Sequence, residues 1–212
     1  MKKIIDISLP LTNSTIVYPN NVPLTIETHA EMPSANTHLS KVTMGTHTGT
    51  HIDAPRHAVI GANNLEQIPL ETFIGACKVF DVSHKQPGDA VKIEDIRKEE
   101  IGKGDRILFK TSNSERGFEK FHDDYVYIDG DLADWLAERE VALVAIDALS
   151  IKQRGSPDQR PHTSLLSKNI PIIEGINLKG VEAGEYELVC LPLKFEGVEA
   201  SPARVVLFTT SY

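Results

Sequence analysis

His47-Thr48-Gly49-Thr50-His51-Ile52-Asp53-Ala54-Pro55-Arg56-His57 is the run on which the reading of this chain turns. His47 and His51 stand four apart, as two ligands on one helix face would. Gly49 and the β-branched Thr48 and Thr50 between them disfavour a helix, so the spacing predicts an extended segment. Residues of one parity share a face of a strand, and His47, His51, Asp53 and His57 are therefore expected to project together. Gly49, of the same parity, would leave a gap for an ion between the two imidazoles. Pro55 fixes its own φ and holds Ala54 extended, which sets His57 beyond a rigid bend. Two imidazoles and a carboxylate with an open position describe a hydrolytic zinc or manganese centre better than a closed structural one, which would use thiolates. The chain has two cysteines, Cys77 and Cys190, both remote from the run.

Outside this run the pattern is mostly that of short strands. Lys3–Ser8, Leu24–Ala30 and Leu39–Gly45 have strand composition, while Cys77–Val82, Arg106–Lys110 and Ala142–Ile146 are apolar runs suited to buried strands. Leu188–Pro192 and Val205–Phe208 read as final strands. Helical spacing is found over Lys92–Glu100 and Leu132–Glu140, with Asp131 as the expected cap of the second, and Thr163–Ser167 is expected to start a short helix. Lys85–Asp89 and Gly102–Gly104 read as turns. Strands outnumber helices, so the expected fold is a mixed α/β sheet, partly closed, with a few helices.

The 212 residues, 41% of them hydrophobic, suffice for one domain over residues 1–212 that buries most of its apolar surface. The net charge of −8 argues against a nucleic-acid partner, whose phosphates would require clustered Lys and Arg. No apolar run approaches the roughly 18 residues of a membrane helix, and the start Met1-Lys2-Lys3 lacks the apolar core and cleavage site of a leader. Two cysteines with no evident pairing fit a cytoplasmic protein.

The run from His47 to His57 resembles the H-x-G-T-H-x-D-x-P-x-H motif of the cyclase family of metal-dependent hydrolases, which includes bacterial kynurenine formamidase and isatin hydrolase. Ile5-Asp6-Ile7-Ser8-Leu9-Pro10-Leu11 is similar to the family's opening strand, and Val144-Ala145-Ile146-Asp147-Ala148-Leu149-Ser150 to a late one. Pro161-His162-Thr163, Ile173-Glu174-Gly175-Ile176-Asn177-Leu178, Leu191-Pro192-Leu193-Lys194 and Ser201-Pro202-Ala203-Arg204 resemble its remaining blocks, so the likeness spans nearly the whole chain. The resemblance implies a swivelling β/β/α-like fold. It further implies that His47, His51 and Asp53 bind one ion, and that Asp53 and Glu174 bridge to a second, completed by His162. His57 would be the proton donor and acceptor. It also suggests a homodimer in which the N-terminal region reaches the neighbouring site. One departure concerns the substrate: where formamidases carry a tryptophan before a Pro-Gly-Asp turn, this chain reads Val17-Tyr18-Pro19-Asn20-Asn21, which leaves Tyr18 as the candidate stacking residue.

Each group has an alternative reading. His57 could be a third imidazole ligand, since its position fixes proximity to an ion and not its role. His162 without the resemblance is an ordinary hydrogen-bonded histidine. Glu174 lies in an apolar run and needs a partner, which a salt bridge would serve as well as a metal. Tyr18 beside Pro19 could simply pack, and His29, His38, His84 and His122 read as surface or structural. A Ser-His-Asp route is disfavoured by the lack of a G-x-S-x-G elbow. The expected activity is metal-dependent hydrolysis of a small aromatic amide, with N-formylkynurenine as leading substrate and formate and kynurenine as products. Hydrolysis of a cyclic amide such as isatin, or of another small amide or ester, is the runner-up. A metal-dependent binder of a small ligand, without turnover, is the alternative of another class. Zinc is the expected ion, with two per subunit possible and manganese as the alternative, because imidazole and carboxylate suit several divalent ions.

Overall fold

The computed structural model describes residues 3–209. Its strands, in chain order, are β1 Ile4–Asp6, β2 Thr25–Ala30, β3 Leu39–Thr43, β4 His51–Asp53, β5 Ile74–Asp81, β6 Ala90–Val91 and β7 Arg106–Lys110. They continue with β8 Tyr127–Ile128, β9 Leu143–Ile146, β10 Ile172–Glu174, β11 Gly184–Val189, β12 Ala200–Pro202 and β13 Val206–Thr209. The helices are α1 Ile93–Ile96, α2 Asn113–Arg116, α3 Gly130–Glu138 and α4 Arg160–Leu166.

Among the described residues nine strands form one mixed sheet in the order β1-β13-β11-β5-β7-β9-β10-β4-β12. Its centre, β5-β7-β9-β10, is parallel, and antiparallel strands extend it on both sides. The sheet curls: an isolated bridge from Ser8 to Ile176 joins the chain just past β1 to the chain just past β10. This is the mixed, partly closed sheet with few helices that the strand-rich pattern predicts.

Period-two alternation divides the core between the faces of the sheet. Ile107, Phe109, Val144, Ile146 and Ile172 face one way and pack with Leu132, Leu136, Leu165 and Leu166 of α3 and α4. Leu108, Leu143, Ala145 and Ile173 face the other way, into a second cluster with Ile7, Ile52, Phe73, Leu188 and Leu207. All four residues of β9 are buried, as a parallel strand covered on both faces requires. Its loop and the end of β10 lie at the carboxyl ends of the parallel strands, where open α/β sheets leave room for a ligand.

Several local expectations need correction. The run from His47 to His57 is a strand only over His51–Asp53. Gly49 has φ +62° and turns the chain, and Pro55–His57 is a single 3-10 turn. The parity argument therefore holds for His51 and Asp53, while His47 and His57 reach the same place by bends. Gly49 does not leave a gap either, since a Cβ there would lie 2.6 Å from Leu11 Cδ2. The helix of Lys92–Glu100 closes after one turn at Ile96. The cap of α3 is Asp129, whose side chain accepts from Leu132 N, and not Asp131, which pairs with Arg160. β11 starts at Gly184 and ends at Val189, earlier than Leu188–Pro192, and α4 starts at Arg160 and so contains His162.

Candidate metal centre

β4 lies between β10 and β12, antiparallel to both, with Asp53 opposite Ile172 and His51 opposite Glu174. Directly opposed residues share a face, so His51, Asp53 and Glu174 converge on the α4 side while Ile52 and Ile173 enter the second core cluster. His51 Nε2 is 3.4 Å from Glu174 Oε2 and 3.5 Å from Asp53 Oδ1. The turn at Gly49 brings His47 Nδ1 to 2.9 Å from Asp53 Oδ1. His57, last residue of its 3-10 turn, sets Nε2 3.9 Å from Asp53 Oδ2. His162, in the first turn of α4 behind Pro161, places Nε2 3.3 Å from Glu174 Oε1 and 3.9 Å from Asp53 Oδ2. All six residues singled out in the sequence as ligands or base are thus gathered around Asp53. Two triads of donor atoms share it: His47, Asp53 and His57, and His51, Asp53 and Glu174.

The donor atoms are poorly served by the protein itself. Among the described residues, His51 Nε2 and both oxygens of the fully buried Asp53 are buried and have no hydrogen-bond partner. The 2.9 Å approach of His47 Nδ1 to Asp53 Oδ1 is an ion-pair contact. A buried carboxylate left so costs several kcal/mol unless a cation completes it. Gly49 O can only accept, so the 2.9 Å contact keeps a proton on His51 Nδ1, and the nitrogen that gives up its proton to an incoming cation is Nε2, which faces the two carboxylates. Glu174 Oε1 accepts from Ile151 N at 2.7 Å, which ties the loop after β9 to the carboxylate. This donor set fits a divalent cation.

The charges agree with that fit. Burial alone would raise Asp53, but His47, His57 and His51 hold it well below the usual carboxylate range. Glu174, pushed up by burial and by Asp53, is held down overall by His162 and His51. His51 resists its own burial through Glu174 and Asp53 and is raised to about 9, and His47 is raised through Asp53 in the same way. His57 differs. Burial, with help from His47 and His162, outweighs Asp53 and keeps it below the ordinary 6.5, so its ring is neutral at pH 7.

Tyr18, Asn21, Leu149, Ser150, Lys152, Gln159 and Thr163 join the histidines and Glu174 around an open cleft of about 420 Å³. Tyr18 opens a tight turn in which Asn21 N donates to Tyr18 O and Asn20 adopts φ +77°. Its ring meets Phe121 edge-on at 5.3 Å, and Phe121 meets Tyr125 at 6.2 Å, so the Tyr18 ring that lines the cleft is backed by two further aromatic rings outside it. Among the described residues no serine hydroxyl bonds to one of the cleft histidines, which leaves a Ser-His-Asp route without its first contact.

The putative cyclase family matches residues 5–153. This chain belongs to the cyclase family. It is 35% identical over 206 residues to the kynurenine formamidase of Salinibacter ruber, with 96% of each chain covered. A solved structure described as a potential metal-dependent hydrolase with cyclase activity superposes with a TM-score of 0.87 at 37% identity, covering all of both chains. Isatin hydrolase A of Labrenzia aggregata shares the fold, with a TM-score of 0.88 at 22% identity over 99% of this chain and 94% of that one.

Two residues of this cyclase-family chain, one behind His47 and one on the cleft wall, carry no sequence signature that points to them. Glu199 Oε1 lies 3.4 Å from His47 Nε2 and accepts from Thr46 Oγ1 at 2.6 Å, so a carboxylate stands behind the imidazole that faces Asp53. Lys152 joins the cleft through the loop after β9. Neither falls in a spaced motif, and both arrive through strand order. The remaining histidines lie apart from the cleft: His29 and His38 are exposed, His84 faces Asp95, and His122 contacts Arg116.

Proposed function

We propose that this chain is a single-domain, metal-dependent amide hydrolase that converts N-formylkynurenine to formate and kynurenine. The observation that carries the reading is the set of orphaned, buried donor atoms on His51 and Asp53, beside the His57 imidazole in an open cleft that Tyr18 also lines. The kynurenine formamidase relative covers the same length, which supports the choice of substrate. His47, His51 and Asp53, with Glu174 and His162, would hold zinc, with manganese as the alternative and room for a second ion around Asp53 and Glu174.

A divalent ion there supplies Lewis-acid polarisation of the amide carbonyl and lowers the pKa of water. The chain's residues do the rest. The surrounding imidazoles favour the ionised forms of Asp53 and Glu174. His57, neutral and on the cleft wall, takes the proton of the attacking water and returns it to the aryl amine nitrogen as the C–N bond breaks. A pure binder would have no use for that proton relay. Tyr18 offers its ring to the aryl group, backed edge-on by Phe121.

A homodimer accompanies this reading. The hairpin β2–β3 pairs with no other strand among the described residues, its second strand is exposed at all five positions, and Leu39 and Val42 are each more than half exposed. A two-stranded ribbon is marginal alone in water, and a second copy would cover it. Cytoplasmic location is supported by the two thiols, both free and buried. No helix among the described residues is long and apolar enough to cross a membrane. The test is a comparison of kcat/KM for N-formylkynurenine and isatin with metal-reconstituted protein. The reading predicts that the formamide wins, and a preference for isatin overturns it.

A further inference from the structure

We infer that Lys152 sets substrate specificity by binding a carboxylate on the substrate, at the end remote from the scissile formamide. The inference rests on the amide-hydrolase reading of the same cleft. Among the described residues that line the cleft, Lys152 is the one lysine or arginine. The protein carries a net charge of −8, which disfavours an anionic ligand unless a local cation meets it.

The placement of Lys152 is fixed by the groups that fix the reaction site. Ile151 N donates to Glu174 Oε1 at 2.7 Å, and Tyr125 Oη donates to Lys152 O at 2.5 Å. The backbone of two successive residues is thereby tied to the carboxylate at the centre and to the ring cluster that backs Tyr18. The ammonium is held but not saturated: Nζ donates to Ser156 O at 2.8 Å, one of its three donors. Asp158, a carboxylate that senses the charge of Lys152, is already gripped by Arg160, which donates from Nε and Nη2 at 2.8–3.1 Å. Three features therefore share one cleft: the cluster around Asp53, the Tyr18 ring, and an ammonium with donors to spare. An aryl formamide that ends in an amino-acid carboxylate carries the complementary three.

The experiment uses metal-reconstituted enzyme and two substrates that differ by the carboxylate alone: N-formylkynurenine and its decarboxylated amine, N-formylkynuramine. A charge-assisted contact of this kind predicts that Lys152→Met raises KM for N-formylkynurenine by roughly 10- to 100-fold with kcat changed little. N-formylkynuramine kinetics should not move, which also shows that the variant is folded and loaded. Lys152→Arg should recover most of the loss. An equal effect on both substrates, or none on N-formylkynurenine, overturns the role of Lys152 while leaving the hydrolase reading intact. A wild-type enzyme inactive on both formamides would overturn the hydrolase reading, and this inference with it.

Discussion

Gly175→Ala tests whether the two halves of the centre are held together by backbone contact. Gly175 follows Glu174, has φ +70°, and a Cβ built on it lies 2.6 Å from Gly49 O and 3.1 Å from Gly49 C. Both are main-chain atoms, so no side chain can swing away. Gly49 O accepts from His51 Nδ1, and Thr50 Oγ1 donates to Gly175 O at 2.5 Å, so the methyl group would prise the His47–His51 turn from the end of β10. Left-handed strain costs about 1 kcal/mol and overpacking about 1–3 kcal/mol more, giving a loss of about 2–4 kcal/mol. Denaturant unfolding of the apo-protein reads that loss. Gly88→Ala is the control: φ there is +87° but nothing lies within 4 Å, so strain alone applies. Because the contact orients His51 against Glu174, Gly175→Ala should also weaken metal binding by roughly 10- to 100-fold in a chelator competition. A variant no less stable than Gly88→Ala, with metal affinity unchanged, would refute the role given to this contact.

The remaining predictions concern individual side chains. His51→Ala and Asp53→Ala should lose metal and activity together, and full metal content in both purified variants would displace the site. His57→Ala should keep its metal and lose roughly 10²–10⁴-fold in kcat, more for amides than for an ester of the same acyl group, because the amine leaves poorly without a proton; loss of metal would instead make His57 a ligand. Tyr18→Ala should raise KM for N-formylkynurenine by an amount corresponding to about 1 kcal/mol, with less effect on simple formamides; an unchanged KM would reduce Tyr18 to packing. His51, raised from 6.5 to about 9, gives the apo-protein stability that is complete below pH 6.5 and lost as pH rises through about 9. An ion must displace that proton, so affinity should climb close to tenfold per pH unit between those values and then level off. Binding that releases no proton at pH 7.5 would contradict the assignment.

The candidate site was legible where its chemistry is local and obscure where it depends on pairing. His47, His51, Asp53 and His57 sit in eleven consecutive residues, and their types announce a cation site without any fold. Their common direction was deduced from the wrong backbone: only His51 and Asp53 use strand parity, while Gly49 is needed for its left-handed turn and not for empty space. His162 and Glu174 come to Asp53 through α4 and through the β10–β4 register, which no local window encodes, and the family resemblance alone singled them out. Glu199 and Lys152 had no such help and were missed. The buried strands were readable because β9 and the Ile107–Phe109 centre of β7 are apolar runs covered on both faces. Helix ends were less so, since two aspartates two residues apart compete to cap α3 and only packing selects Asp129.

The most direct test of the central claim is to titrate metal-free protein with zinc while measuring formate released from N-formylkynurenine. The account predicts no formate from the apo-protein, activity that rises with bound zinc until the donors around Asp53 are filled, and none at any loading in Asp53→Ala. Formate release that is undiminished in the chelated protein, or that survives in Asp53→Ala, would contradict it.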